Sequence, residues 1–199
     1  MIIQFLFGSE LRTDYSELVI RDMNLPNLLT LIRILLIPLF VILIIDQSFL
    51  WALIIFALAG ITDGIDGLIA RITHQRTELG AYLDPIADKL LLSAGFITLA
   101  IIEMLPSWLA VIVIARDMII LLGILVMILT HIPPKIEPSL MGKITTSLQI
   151  STILLVLMAN YGIFLKHLAT IAIYGTMLFT ILSGVHYIYI GTRIVNQKK

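Results

Sequence analysis

Apolar segments long enough to cross a lipid bilayer recur along the whole sequence. An α-helix needs about 20 consecutive apolar residues to span the hydrocarbon core of a membrane. Backbone amides and carbonyls find no water in that core, so helices, which pair these groups internally, are the expected elements. The sequence therefore predicts an all-α polytopic integral membrane protein with six transmembrane helices, over residues 27–46, 50–71, 81–103, 107–130, 143–165 and 168–193.

The composition excludes several other classes of protein. Of the 199 residues, 59% are hydrophobic and 13% are charged, whereas about a quarter of the residues in soluble domains are charged. Cysteine is absent, which excludes disulfides, thiol catalysis and cysteine-ligated metals. The formal net charge is zero, and nothing in the sequence indicates nucleic-acid binding.

Residues 1–22 stand apart from the membrane domain that we expect over residues 23–199. Two interpretations of this segment are equally open. It can form an amphipathic helix on the membrane surface, because Leu11 and Leu18 share a helical face from which most of its acidic residues are absent. Alternatively, it is an upstream extension, with Met23 as the natural start.

The basic residues outside the helices predict the orientation in the membrane. With six helices both termini lie on one side, and the opposite side carries only Lys166. The positive-inside rule then places both termini in the cytoplasm, for a protein of the inner (cytoplasmic) membrane. The cytoplasmic side holds Arg12, Arg21, Arg71, Arg76, Lys135, Lys143, Arg193, Lys198 and Lys199.

Four aspartates lie at the predicted cytoplasmic ends of the second and third segments. Asp63 and Asp66 are three residues apart and Asp84 and Asp88 are four apart, so each pair shares a helical face. Two adjacent antiparallel helices can turn these faces together, and four carboxylates at close range require a positive counter-charge. Oxygen ligands alone favour Mg²⁺, Mn²⁺ or Ca²⁺. Four carboxylates suit two such ions, as in two-metal phosphoryl-transfer sites.

Small residues and an arginine accompany the aspartates. Gly64, Gly67, Ala70 and Gly80 permit close approach of a helix or of a phosphate. The guanidinium of Arg71 suits a phosphate oxygen, although a basic membrane flank would also explain it. These residues leave two functions open, a cation or proton transporter and a metal-dependent enzyme acting on a phosphorylated lipid. The clustering of all four acids in one window at a membrane edge favours the enzyme.

Three basic residues fall inside the predicted helices, where each costs about 2.5–3.5 kcal/mol at the bilayer centre. They are Arg33, Lys89 and Arg116. For Lys89 we favour a side chain that extends to the interface. For Arg116 we favour a functional role over a local ion pair, because its sequence neighbour Asp117 cannot easily share its helical face.

Residues 63–88 read D-x2-D-G-x2-A-R-x8-G-x3-D-x3-D, with every specified position filled. This pattern resembles the signature of the CDP-alcohol phosphotransferases. The segments NLPNLLTLIRILLIPLF, LGAYLDPIADKLLL, IARDMIIL and GKITTSLQI are similar to the bacterial phosphatidylglycerophosphate synthase branch of that family. The resemblance covers residues 24–195.

The resemblance implies a fold, a reaction and a set of roles. It implies six helices around a cytoplasm-facing polar cavity, in which an alcohol attacks the lipid-side phosphorus of CDP-diacylglycerol and CMP leaves. Asp88 is implied as the general base and as a metal ligand. Asp63, Asp66 and Asp84 are implied as the other ligands of two Mg²⁺ or Mn²⁺ ions. The residues implied at the CDP moiety are Asn27, Thr30, Gly67, Ala70, Arg71 and Gly80.

The acceptor alcohol is less constrained than the donor. Glycerol 3-phosphate carries about two negative charges near neutral pH, so its pocket needs cations beyond those at the CDP. Arg116, Lys143 and Arg33 are the candidates for binding that phosphate. Phosphatidylglycerol, giving cardiolipin, and an inositol phosphate are the alternative acceptors. The resemblance also implies a homodimer.

Overall fold

The computed structural model describes the backbone of residues 25–72, 78–129 and 140–196. Within these ranges the structure also describes the side chains, except those of residues 25–27, 29, 63–72, 78–85, 124–125, 127–129 and 193–196. The two interpretations of residues 1–22 therefore lie outside the described residues.

The described chain consists of six α-helices, of 19 to 34 residues, and one short 3₁₀ turn. The prediction of an all-α protein is confirmed for this part of the chain, since each predicted apolar segment forms one helix. The helices are α1 Leu25–Ile45, α2 Phe49–Ile72, α3 Glu78–Ile101, α4 Ser107–Leu129, α5 Leu140–Met158 and α6 Ile163–Asn196.

The largest boundary difference is at the junction of α5 and α6. We predicted a fifth helix to residue 165, but α5 ends at Met158 and is followed by the 3₁₀ turn Ala159–Tyr161. Gly162 then adopts an extended conformation, with φ 176° and ψ 148°, which interrupts the helical path. Helix α6 begins at the next residue, and its Lys166 amide donates to the Gly162 carbonyl at 3.1 Å. The backbone of one glycine therefore moves the junction by several residues.

Helices α1 and α3 each end in a hydrogen-bonded turn of the same type. After α3, the Glu103 amide donates to the Ala100 carbonyl and the Met104 amide to the Leu99 carbonyl, at 3.2 and 3.0 Å. This is the Schellman arrangement, in which the residue after the helix takes left-handed geometry. Glu103 has φ 61°, and Gln47 has φ 57° in the corresponding turn after α1. Both turns place a non-glycine residue where glycine is preferred.

The described helices form two compact units, one of residues up to 39 together with 55–90, and the other of residues 40–54 together with 91 onwards. In the second unit α1, α3 and α5 pack closely at Gly95. A Cβ atom on Gly95 would lie 2.9 Å from Ile153 Cδ1 and 3.3 Å from Phe40 Cε1. Both of those side chains are fully buried. The absence of a side chain at Gly95 is thus what permits this packing.

A buried polar seam joins α5 to α6 in the second unit. Thr145 Oγ1 donates to the Phe179 carbonyl at 3.1 Å, and Thr152 and Thr176 are joined through their hydroxyls at 2.8 Å. These pairings make the two helices antiparallel. Gln149 lies on the same α5 face and is fully buried. Among the described residues, neither of its side-chain polar atoms has a hydrogen-bond partner.

Large apolar side chains cover the outside of the described helices, including Leu35 at 65% exposure and Ile171 at 68%. Among the described residues, two segments, Leu140–Tyr161 and Ile163–Thr192, are long and apolar enough to cross a membrane by length and composition. Shorter apolar helical segments are Thr30–Ile45 and Phe49–Thr62. These features agree with a membrane protein, and the number of spans stays a prediction.

Candidate active site

The signature residues lie on two helices that are adjacent in sequence. Asp63 and Asp66 are in the C-terminal part of α2, and Asp84 and Asp88 are in the N-terminal half of α3. All four lie on helices, as predicted, and all belong to the first compact unit. The side chains of Asp63, Asp66 and Asp84 lie outside the described residues. The predicted meeting of the carboxylates around metal ions therefore stays a prediction.

The predicted CDP-binding residues belong to the same compact unit. Thr30 is fully buried in the first half of α1, one turn before Arg33. Asn27 lies in the first turn of α1. Its side chain lies outside the described residues, as do those of the CDP candidates on α2 and α3, namely Gly67, Ala70, Arg71 and Gly80.

Asp88 is the signature carboxylate whose contacts the structure describes. Its side chain is 44% exposed, and its Oδ1 accepts a hydrogen bond from Arg33 Nη1 at 3.0 Å. The two residues are 55 positions apart in sequence, so the contact joins α1 to α3. The pairing of a guanidinium with a carboxylate is charge-assisted and stronger than a neutral hydrogen bond. The predicted general base is therefore held by a cation while its carboxylate remains accessible.

Arg33 also contacts α2. Its side chain is fully buried, and Nε donates to the Ala59 carbonyl at 3.3 Å. The Thr62 hydroxyl donates to the same carbonyl at 2.9 Å. In an α-helix, the carbonyl of residue 59 faces the turn that contains residue 63. Arg33 thus connects Asp88 to the turn of α2 that leads into Asp63.

Arg116, a predicted acceptor-phosphate residue, is buried in α4. Its Nη1 donates to Asp117 Oδ1 at 2.8 Å, and its Nε and Nη2 donate to Ser183 Oγ at 3.3 and 2.9 Å. Its guanidinium carbon lies 5.5 Å from the centre of the Tyr187 ring, within range of a cation–π interaction. The local ion pair with Asp117, over which we favoured a functional role for Arg116, is present. The long arginine side chain reaches the neighbouring carboxylate even though the two Cβ atoms point to different faces.

Sequence reasoning missed Ser183 and Tyr187. They are four residues apart on α6 and therefore lie on one helical face. Helical spacing relates the two residues, but α6 carries other polar residues such as Thr176 and Thr180, so the sequence pattern alone would not have singled them out. Lys143, the other acceptor candidate of the second unit, is exposed in the first turn of α5. Arg33 belongs to the first unit, so the three acceptor candidates are divided between the two units.

Comparison with known proteins identifies what this chain is similar to. Residues 23–182 match the family model described as CDP-alcohol phosphatidyltransferase. The chain is 34% identical over 181 residues to the CDP-diacylglycerol–glycerol-3-phosphate 3-phosphatidyltransferase of Bacillus subtilis, an alignment that covers 82% of this chain and 93% of the relative. It is 36% identical over 177 residues to a probable phosphatidylglycerophosphate synthase of Mycobacterium tuberculosis, covering 84% and 81%.

A third relative is named for a different activity. The chain is 37% identical over 161 residues to a probable cardiolipin synthase (CMP-forming) of Drosophila melanogaster. That alignment covers 73% of this chain and half of the relative's length. The residues alone had left both a transporter and an enzyme open, and these relatives favour the enzyme. On the match of residues 23–182 and on relatives above 30% identity, this chain belongs to the CDP-alcohol phosphatidyltransferase family of membrane enzymes.

Proposed function

We propose that this protein transfers the phosphatidyl group of CDP-diacylglycerol to a hydroxyl of glycerol 3-phosphate and releases CMP. The observation that carries the proposal is the similarity to the Bacillus subtilis relative, which extends over 93% of that protein. The name of that relative gives glycerol 3-phosphate as its acceptor. The helical placement of the four signature aspartates supports the same reaction class.

Asp88 is the residue that we propose as the general base. In the proposed step the acceptor oxygen forms a bond to the lipid-side phosphorus, the acceptor proton passes to the Asp88 carboxylate, and the bond from phosphorus to the CMP oxygen breaks. A general base must lie within hydrogen-bond reach of the proton that it takes. The 44% exposure of the Asp88 side chain, which leaves it accessible to an acceptor, supports this role.

Divalent metals fit the donor set of the signature. The family generally uses such ions, and Asp63, Asp66, Asp84 and Asp88 supply only hard oxygen atoms, which suit Mg²⁺ and Mn²⁺. When bound, two such ions would neutralise the negative charge that develops on the phosphate oxygens. We propose two ions held by these four residues, without a preference between magnesium and manganese.

The remaining proposed roles concern the two substrates. Asn27, Thr30, Gly67, Ala70, Arg71 and Gly80 are proposed to surround the CDP moiety. Arg116 and Lys143 are proposed to bind the acceptor phosphate. Lys143 is exposed, whereas the buried Arg116 guanidinium would have to exchange a bond to Asp117 or Ser183 for the bidentate contact that suits a phosphate. We further propose a domain over residues 23–199 with six membrane spans, cytoplasmic termini and a polar cavity open to the cytoplasm. The proposed assembly in the membrane is a homodimer.

Phosphatidylglycerol is the second candidate acceptor, because the Drosophila melanogaster relative at 37% identity carries the cardiolipin synthase name. An inositol phosphate is a third candidate acceptor. Purified protein in detergent, given CDP-diacylglycerol with Mg²⁺ or Mn²⁺, should release CMP when glycerol 3-phosphate is added. Phosphatidylglycerol, inositol 1-phosphate and serine are offered in separate reactions.

The controls separate the reaction class from the acceptor. Chelation of the metal and the Asp88→Asn variant should each abolish CMP release. Release with phosphatidylglycerol but not with glycerol 3-phosphate would retain the family reaction and refute the proposed acceptor. Chelator-insensitive CMP release would contradict the metal-dependent mechanism.

A further inference from the structure

The exposure of the Arg33–Asp88 pair is uneven. The Arg33 side chain has no accessible surface, whereas the side chain of Asp88 is 44% exposed. Exposed ion pairs contribute little, because both partners are flexible and solvated. Here the cation is immobilised by burial and by a second bond, from Nε to the Ala59 carbonyl at 3.3 Å. The arginine is therefore the enclosed member of the pair, and the carboxylate is the accessible one.

This geometry separates Arg33 from Lys143, the acceptor candidate whose side chain is exposed. A residue that binds a soluble phosphate must offer its guanidinium to the solute, but that of Arg33 is enclosed between α1, α2 and α3. Two of its nitrogens already donate to protein oxygens on two other helices. Because the side chain has no accessible surface, a contact of Arg33 with a soluble acceptor would require the surrounding side chains or helices to move. Its effect on the reaction is therefore expected through Asp88.

We propose that Arg33 is a positioning residue that fixes the Asp88 carboxylate against the turn of α2 preceding Asp63. Through its single side chain, α1 holds the general base of α3 at a constant place relative to the helix that carries the first two aspartates. A reacting group that moves by about 1 Å can lose on the order of a hundredfold in rate. The inference rests on the proposed role of Asp88 as general base.

The kinetic consequence is a loss of kcat without a matching rise in the acceptor KM. Arg33→Met retains a long, buried side chain but removes both donors, and we expect kcat to fall about 10- to 100-fold. The KM for glycerol 3-phosphate should change by less than about threefold, because only an interaction with the acceptor would weaken its binding. Arg33→Lys keeps a cation that can approach Asp88, so its kcat should lie between those of Arg33→Met and the wild type.

A matched control distinguishes positioning from general damage to the fold. Thr152→Val breaks another buried side-chain hydrogen bond, to Thr176 at 2.8 Å, in the other compact unit. We expect that variant to keep the wild-type kcat in the fraction that elutes as folded protein. The rates are therefore measured on monodisperse fractions and normalised to the folded enzyme.

Each outcome decides the inference. A rise of tenfold or more in the acceptor KM with little change in kcat would identify Arg33 as an acceptor ligand and refute the positioning role. Equal kcat values for Arg33→Met and the wild type would also refute it, as would equal losses in Arg33→Met and Thr152→Val. If the wild type releases no CMP with any acceptor, the proposed function fails and the positioning role fails with it. An active wild type with an unaltered Arg33→Met variant overturns the positioning role alone.

Discussion

Substitution of Asp88 should affect stability in a way that depends on what replaces the carboxylate. Removal of one partner from a buried ion pair costs about 3–5 kcal/mol, because the other charge is left uncompensated. Asp88 is 44% exposed, so only part of the pair is desolvated and about half of that cost, ~2 kcal/mol, is expected for Asp88→Ala. Asp88→Asn keeps an oxygen that can accept from Arg33 Nη1, and its expected cost is about 1 kcal/mol.

The assay is thermal unfolding of the purified variants in detergent with an excess of chelator. Chelation matters because Asp88 is also a proposed metal ligand, and a ligand bound to the native state adds its own stabilisation. For a chain of about 200 residues, 1 kcal/mol shifts the unfolding midpoint by about 2–4 °C. Asp88→Ala should therefore unfold about 2–4 °C below Asp88→Asn, although neither variant should be active.

The decisive control is the double variant Arg33→Met with Asp88→Ala. Because an apolar side chain of similar length then replaces the uncompensated charge, the double variant should be more stable than Asp88→Ala alone. Equal midpoints for alanine and asparagine at position 88 would show that an uncompensated Arg33 charge does not destabilise the protein. A lower midpoint for the double variant than for Asp88→Ala would show the same, since the buried guanidinium would then stabilise the fold without its carboxylate.

Three further predictions concern stability, each measured as an unfolding midpoint. Gly95→Leu should cost about 1–3 kcal/mol by overpacking, since a Cβ there would already lie 2.9 Å from an isoleucine methyl. Gly60→Leu is the control and should show no such loss, because among the described residues no atom other than its chain neighbours and its own helix backbone lies within 4 Å of a Cβ there. Gln149→Leu should raise stability by about 1–3 kcal/mol by removing buried polar atoms, whereas Thr152→Val should lower it; a loss in both would contradict this account. Glu103→Gly should stabilise the protein by up to about 1 kcal/mol, because glycine adopts the left-handed backbone conformation of this position without steric strain. An unchanged or lower midpoint would count against strain there.

The helices could be predicted from the sequence because a bilayer sets the length of an apolar segment, and each such segment formed one helix. The ends were less predictable. The turn after α3 uses Glu103 at φ 61°, where a sequence pattern would place glycine, so residue type gave no signal for the boundary. The apolar residues continue past residue 158, so hydropathy alone predicted a longer fifth helix than the one that ends before Gly162.

The partners of the buried arginines were harder to predict than the aspartates. Helical periodicity puts the aspartate pairs on common faces, and that rule needs only neighbouring residues. The Arg33–Asp88 bond joins residues 55 positions apart, so it depends on tertiary packing that no local pattern contains. Arg116 illustrates the opposite failure, since Asp117 is adjacent and was discounted because the two Cβ atoms point in different directions. The arginine side chain is long enough to reach the carboxylate in spite of those directions.

The contrast between the two arginines leads to a test of the acceptor site. Asp88 is 44% exposed beside Arg33, whereas Asp117 is buried together with Arg116, at 4% and 6% side-chain exposure. A buried carboxylate at 2.8 Å reduces the positive potential that Arg116 can offer to a phosphate. If Arg116 binds the acceptor phosphate, Asp117→Asn should strengthen that binding by about 1 kcal/mol, which is roughly a fivefold lower KM for glycerol 3-phosphate.

Asparagine still offers an oxygen to the Arg116 guanidinium, so the substitution changes charge more than geometry. The KM for CDP-diacylglycerol, measured in parallel, should stay within about twofold, because a smaller repulsion of the acceptor phosphate does not alter donor binding. Ser183→Ala is the matched variant, since it removes a neutral partner of the same guanidinium and leaves the local charge unchanged. An acceptor KM that is unchanged or higher in Asp117→Asn would show that the Arg116–Asp117 pair serves packing between helices, and Lys143 would then be the remaining candidate for the acceptor phosphate.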